Sequence, residues 1–234
     1  MSNYIKYLLI SLCFLILSCK PQINTNAALK NNLSTIALNN QLRSVELKSQ
    51  EVDDTTFVNL KNYSQDFIYD MKYATSDNFL KAKVYDCAEC ILRLKTVKAM
   101  IKANDRFIKK GYKIKIYDCY RPLDIQKQMW AIVSNAEYVA NPSKGSIHNR
   151  GGAIDITLVD KNDTELDMGT AFDHFGVEAN HNYKEVSKEV KANRKLLKKV
   201  MLKYDFLSFD SEWWHYNLKK ANENKVSNFK WKCD

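Results

Sequence analysis

The chain has 234 residues, of which 45% are hydrophobic and 12% aromatic, with six Gly, three Pro and a formal charge of +9. This composition supports a packed globule and excludes a loop-rich or low-complexity chain. The positive charge does not point to nucleic acid: the lysines are scattered or lie on helix surfaces such as 184–203, with no arginine cluster and no interleaved aromatic and basic residues. The excess reads as a solvated face with some attraction to an anionic envelope.

Lys6 precedes an apolar run from Tyr7 to Leu17, shorter than the roughly 20 residues a bilayer-spanning helix needs, and the run closes on Ile16-Leu17-Ser18-Cys19. This reads as a signal peptide over residues 1–18. The small Ser18 before Cys19, with Ile16 at the third position back, resembles a bacterial lipoprotein signal, whose cleavage leaves Cys19 as a lipid-bearing N-terminus. An ordinary signal peptide with an incidental Cys, or an uncleaved anchor, are the alternatives. Lys6 is the only charged side chain before Cys19, so the processed chain carries +8. Residues 19–52 are rich in Asn, Gln, Ser, Thr and Leu, a composition that buries too little apolar surface to fold alone and is read as a tether. A weak helical pattern from Leu33 to Leu47 leaves a docked helix open. Residues 53–234 fit one domain of ordinary size.

Within that domain Leu94, Val97, Met100, Ile101, Asn104, Phe107 and Ile108 recur at helical spacing, with Gly111 as a stop. Tyr112–Cys119 alternates as a half-buried strand and ends at Arg121-Pro122, where Pro opens a second helix carrying Leu123, Ile125, Met129, Trp130 and Val133. Gly151–Val159 predicts a strand with Ala153, Asp155 and Thr157 on one face and Ile154, Ile156 and Leu158 on the other. Val186–Tyr204 predicts a third helix, and Trp213–Leu218 a last, aromatic strand. Strands that are polar on one face favour an α+β layer with a largely antiparallel sheet over a doubly wound parallel one. Cys87, Cys90, Cys119 and Cys233 in an exported chain are read first as disulfides, with three possible pairings; a redox Cys-x-x-Cys and a four-cysteine zinc site rank below.

The chemistry concentrates in two segments, Ser146-Ile-His148-Asn-Arg-Gly151-Gly152-Ala153-Ile-Asp155 and Glu212-Trp213-Trp214-His215. Two imidazoles and two carboxylates form the ligand set of a catalytic zinc site with one carboxylate to spare: three ligands hold the ion, an open position takes water, and the remaining Glu accepts a proton. Gly151-Gly152 can turn the chain sharply between His148 and Asp155. Glu212 and His215, three apart, would face opposite ways in an ideal strand, so a bend is expected between them, with Glu212 just outside the strand. Trp213 and Trp214 read as packing residues, and His174 and His181 as surface or supporting ones.

With Tyr73-Ala74-Thr75-Ser76-Asp77-Asn78-Phe79, Tyr117-Asp118-Cys119-Tyr120-Arg121-Pro122 and Asp167-Met168-Gly169-Thr170-Ala171-Phe172-Asp173 in the same order, these segments resemble the zinc D-alanyl-D-alanine dipeptidases, over about Asp70 to Leu218. The resemblance implies a hedgehog/D,D-peptidase-like fold and one zinc ion per chain held by His148, Asp155 and His215. It implies Glu212 as catalytic base, Arg121 as the group polarising the scissile carbonyl, Tyr73 and Asp173 as the clamp on a free substrate ammonium, and Ser146 near the substrate carboxylate. Cys119 departs from the pattern, standing where many relatives have a small residue.

The expected activity is hydrolysis of the free dipeptide D-Ala-D-Ala to D-alanine. A D,D- or L,D-carboxypeptidase acting on peptidoglycan stem peptides and a non-catalytic zinc-bearing module are the competing readings; the ammonium clamp argues against the first, and the base beside the metal against the second. The expected setting is the bacterial envelope, periplasmic, with a small dipeptide as the partner molecule, no nucleic acid, and the membrane reached through a lipid on Cys19. Oligomeric state is left open.

Overall fold

The computed structural model describes residues 52–233. The signal segment, Cys19 and the tether up to residue 51 lie outside the described residues. The elements in chain order are β1 (Phe57–Asn59), β2 (Ile68–Tyr69), β3 (Ile91–Arg93), α1 (Leu94–Ile108), β4 (Lys113–Asp118), α2 (Leu123–Ile132), β5 (Ala153–Val159), α3 (Lys188–Lys203), β6 (Phe206–Phe209) and β7 (Glu212–Leu218). Five strands form the central sheet in the order β2-β4-β5-β7-β6, in which only β2–β4 is parallel; β1 and β3 pair as a separate antiparallel ribbon. This is the expected α+β architecture with a largely antiparallel sheet.

One detail differs from the sequence reading. β5 is buried along all seven residues, because it runs between β4 and β7 and both its faces are covered. Ile154, Ile156 and Leu158 join the main core with the helices. Thr157 faces a cavity walled by Leu166 and Phe172.

α1 forms where its stripe predicts, burying Leu94, Val97, Met100, Ile101 and Phe107, each worth about 1.5–3 kcal/mol when fully withdrawn from water. Its first N–H groups have no side-chain cap. They are satisfied instead by the chain before β1, with Leu94 N donating to Thr56 O (2.9 Å) and Lys95 N to Asp54 O (3.0 Å). Gly111 ends the turn at φ 84°, a conformation that favours glycine. α3 starts two residues later than its apolar pattern, because Ser187 caps it and accepts from Val190 N at 3.0 Å. Pro122 stands just before α2 rather than in its first turn. β1, β2, β3 and β6 have two to four residues each, too short to show a period.

The disulfides are Cys87–Cys233 and Cys90–Cys119. Cys87 and Cys90 thus have different partners, which removes both the redox dithiol and the four-cysteine zinc site. Cys87–Cys233 closes the C-terminal segment against the loop before β3. That segment also lays Phe229 over Phe57 (5.6 Å between centroids) and Trp231 against Tyr85 (5.8 Å).

Candidate metal centre and catalytic cleft

Antiparallel pairing of β5 with β7 sets Asp155 directly opposite His215, and directly opposed residues share one face with Cβ atoms about 4.5–5.5 Å apart. His148 arrives from a short 3-10 turn, His148–Arg150, that closes on Gly151 at φ 69°. A Cβ on Gly151 would run into the Phe57 ring, so both the turn and the packing require glycine. The start of α1 grips this turn: Arg93 N and Thr96 Oγ1 donate to Gly151 O at 3.0 and 2.9 Å, and Arg93 Nε to Arg150 O at 2.7 Å.

One ligand atom from each of His148, Asp155 and His215 lies within 4.8 Å of the others. His148 Nε2 is 3.3 Å from Asp155 Oδ2 and 3.2 Å from His215 Nδ1, and His215 Nδ1 is 2.9 Å from Asp155 Oδ1. The far nitrogen of each ring is already engaged. His148 Nδ1 donates to Cys119 O at 2.6 Å, and His215 Nε2 donates to Asn217 Oδ1 at 2.9 Å. Each imidazole therefore turns its other nitrogen inward, the orientation in which a deprotonated histidine ligates a metal. Burial works to raise the Asp155 carboxyl, but the charges and hydrogen bonds of His148 and His215 outweigh it and hold the group well below the usual carboxylate range. Two inward imidazole nitrogens and a carboxylate kept ionised fit a divalent cation such as zinc.

Glu212 is the first residue of β7, not a residue outside it. Ser208 of β6 pairs with Tyr216, while its neighbour Phe209 pairs with Glu212; Trp213, Trp214 and His215 are taken up as a bulge. That bulge is the expected bend. It lets Glu212 and His215 both line the cleft, with Glu212 Oε2 3.8 Å from His215 Nδ1. Burial, helped by the charges of Asp155 and Asp173 and opposed by His215 and Arg121, pushes the Glu212 carboxyl up to about 8. A cation held by the three ligands would pull it down again.

Arg121 leaves the end of β4 and lines the same cleft. Asp118 is fully buried; its Oδ2 accepts from Arg121 Nη2 (2.7 Å) and Nε (3.2 Å), and its Oδ1 from Tyr85 OH and Cys119 N, both at 2.8 Å. Arg121 Nη1 donates to Gln126 Oε1 at 3.0 Å. The guanidinium is thus locked at both ends.

Tyr73 and Asp173 meet as expected, Tyr73 OH donating to Asp173 Oδ2 at 2.8 Å. Asp173 adopts φ 58°, a left-handed conformation that Asp tolerates better than most residues. Burial first, then the charge of Asp155, pushes its carboxyl up to about 8. The segment carrying it is pinned by buried Arg194, which donates to Met168 O (2.7 Å), Asn180 O (2.8 Å) and Glu178 O (2.9 Å). Ser146 lines the cleft and accepts from Asn149 N at 3.2 Å, which leaves its hydroxyl proton free to donate.

All eight residues read from the sequence within the described region line one cleft of about 230 Å³. Phe175, outside the lining, stacks on Tyr138 (5.0 Å) and meets Phe79 edge-on (5.1 Å), and so clasps two lining aromatics together at the rim. Trp213 and Trp214 are buried, and only Trp214 reaches the cleft. His174 is exposed beside Glu178 (3.1 Å), and His181 packs edge-on to Tyr216 (6.0 Å) away from the ligands.

Sequence reasoning missed Asp118, Gln126, Asn149 and Asn217. Asn149 is fully buried: its Oδ1 accepts from Ser146 N and its Nδ2 donates to Arg121 O, both at 2.7 Å. Only Asp118 left a signal, as an acid three residues before an arginine at a strand end.

A family model described as D-ala-D-ala dipeptidase matches residues 53–231. A D-alanyl-D-alanine dipeptidase of Escherichia coli (strain K12) is 34% identical over 72% of this chain and 88% of its own length, and one of Enterococcus faecium is 31% identical over 64% and 85%. Among solved structures, the LD-carboxypeptidase LdcB aligns at a TM-score of 0.37 with 22% identity, over 57% of this chain and 62% of its own, too distant a likeness to bear on substrate. With its His148–Asp155–His215 cluster and a family match spanning nearly the whole described region, the chain belongs to the D-ala-D-ala dipeptidase family.

Proposed function

We propose that this protein is a zinc-dependent dipeptidase that hydrolyses free D-alanyl-D-alanine to D-alanine. The carrying observation is a single small cleft holding the His148–Asp155–His215 cluster and Glu212, with the Tyr73–Asp173 pair in the same wall. His148, Asp155 and His215 hold the ion. Zinc bound by such a set supplies Lewis acidity, polarising a carbonyl and making water acidic near neutral pH.

The chain's own residues do the rest. Glu212 takes a proton from the attacking water as its oxygen bonds to the carbonyl carbon, and gives that proton to the amine nitrogen as the C–N bond breaks. Burial that raises the Glu212 carboxyl makes its anion a stronger base, suited to both halves of this exchange. Arg121, always cationic and held rigid by Asp118 and Gln126, stabilises the negative charge that develops on the carbonyl oxygen. Asp173 and Tyr73 bind the free ammonium, and the Ser146 hydroxyl donates to the substrate carboxylate.

The clasp of Tyr138, Phe175 and Phe79 supports a dipeptide over a polymeric stem peptide, which needs an open groove. A buried acid at the ammonium position supports it further: a free ammonium supplies the cation that the desolvated Asp173 carboxylate needs, and an acylated substrate supplies none. For location, the lipoprotein-like signal supports an exported chain anchored through Cys19 in the bacterial envelope. Two disulfides within the catalytic domain fit an oxidising compartment.

D-Alanine release by the full chain should be measured from D-Ala-D-Ala and from its N-acetyl form, with and without chelator. Chelator-sensitive cleavage of the free dipeptide alone is the expected result. Cleavage of the acetylated form would move the protein to the carboxypeptidases, and no cleavage by zinc-loaded protein would leave a binding module. Asp173→Asn keeps an acceptor for Tyr73 and should leave zinc content unchanged while lowering kcat/KM for the free dipeptide by about 10- to 10²-fold, the value of one charge-assisted hydrogen bond. An unchanged kcat/KM would remove Asp173 from the clamp.

A further inference from the structure

We propose that the Cys90–Cys119 disulfide is a positioning element for the metal centre: it holds the Cys119 carbonyl that orients His148. This deepens the zinc reading and rests on it.

β4 ends at Asp118, whose partner across the sheet is Asp155. Cys119 is the first residue past that pairing, so no sheet ladder fixes its carbonyl. Yet that carbonyl accepts the His148 Nδ1–H at 2.6 Å and so sets which nitrogen faces inward. If it moves away, Nδ1 has Asp118 Oδ2 at 3.7 Å, an oxygen already shared by Arg121 Nη2 and Nε.

What replaces the missing ladder is a covalent bond beside one backbone hydrogen bond. Cys119 is bonded to Cys90, both are fully buried, and Cys90 sits in a firm frame. Its carbonyl accepts from Leu60 N at 2.9 Å, and the next residue opens β3, which runs directly into α1. Ile91 O also receives Tyr120 N at 3.0 Å, and this N–H lies in the peptide unit that carries the Cys119 carbonyl. The start of α1 grips the turn that carries His148 through Arg93 and Thr96. One frame therefore holds both partners of the Cys119–His148 hydrogen bond, the turn by hydrogen bonds and the carbonyl by the disulfide together with the Tyr120 N–H. The Cys119 N–H, in the preceding peptide unit, meanwhile donates to Asp118 Oδ1, so the same residue steadies the acid that locks Arg121.

Replacing Cys119 leaves its carbonyl chemically intact, so any loss at the metal comes from position alone. The Cys90→Ala/Cys119→Ala variant of the full chain should bind zinc about 10- to 100-fold more weakly by chelator competition, the usual cost of losing a partner behind a ligating histidine. Its cobalt-loaded form should show an altered visible absorption spectrum. The control is Cys87→Ala/Cys233→Ala. That bridge spans 146 residues against 29 for Cys90–Cys119, so on chain-entropy grounds its loss should lower Tm more, with zinc affinity and cobalt spectrum preserved.

Equal zinc affinity in the Cys90/Cys119 variant and wild type, or an equal loss in both double variants, would overturn the proposal. Should the alanine pair not fold, Cys90→Val/Cys119→Ala refills the apolar space and carries the same comparison. A wild-type chain that binds no zinc would instead overturn the metal reading itself.

Discussion

Replacing Glu212 with Gln should leave zinc bound and lower kcat by about 10²- to 10⁴-fold, the range for removing a general acid–base group. The amide matches the carboxylate in size, and the cluster of His148, Asp155 and His215 does not depend on it. Metal content and D-alanine release measured on the same preparation separate the two effects. Turnover near the wild-type rate would remove Glu212 from proton transfer. The same substitution has a pH signature in the chelated protein. Burial pushes the Glu212 carboxyl up to about 8 from an ordinary value of 4.5. Between those values the unfolded chain has released this proton and the folded chain still holds it, so wild-type stability falls as pH rises through the window. Glu212→Gln abolishes that slope. The variant's Tm should match wild type below pH 4.5 and exceed it increasingly toward pH 8.

Arg121→Lys should cost about 10²- to 10³-fold in kcat with little change in KM, since the guanidinium acts on charge that develops only in the transition state. Lysine keeps a cation near Asp118 but cannot hold Asp118 Oδ2 with two N–H groups while also reaching Gln126. The choice of variant matters. Alanine would leave Asp118, 0% exposed, as an unpaired buried charge, and breaking a buried pair in that way costs about 3–5 kcal/mol. Lost activity in Arg121→Ala would then report unfolding as much as chemistry. In Arg121→Lys, a raised KM with an unchanged kcat would mean that Arg121 binds the ground state instead.

The helices and the long strands were legible because each repeats its apolar residues over ten or so positions, or alternates over six. α1 shows this best, since all of the predicted stripe but Ile108, at the exposed last turn, is buried, with Thr96 and Ala103 added from its flanks. β1, β2, β3 and β6 were not legible: two to four residues carry no period, and these strands exist because partners distant in sequence supply their hydrogen bonds. The reading of β5 as a strand with one polar face failed for a related reason. A central strand is covered on both sides by segments whose placement no local pattern reveals.

At the site, the sequence alone determined the chemistry. Two histidines, an aspartate and a glutamate in two short motifs specify which groups are available, because donor type and charge belong to the residue and not to its surroundings. The tertiary structure decided how those groups are presented. It chose the inward nitrogens through Cys119 O and Asn217, turned Glu212 into the cleft by a bulge in β7, locked Arg121 on Asp118 and Gln126, and selected one of three disulfide pairings. The Cys119–His148 bond and the two disulfides join segments 29 to 146 residues apart, and the contacts of Asn217, Asp118 and Gln126, though close in sequence, form where the sheet holds β4, β5 and β7 around one cleft. Hydrogen-bond direction, burial and the resulting proton affinities are properties of such contacts, and they come into being only when the sheet closes around the cleft.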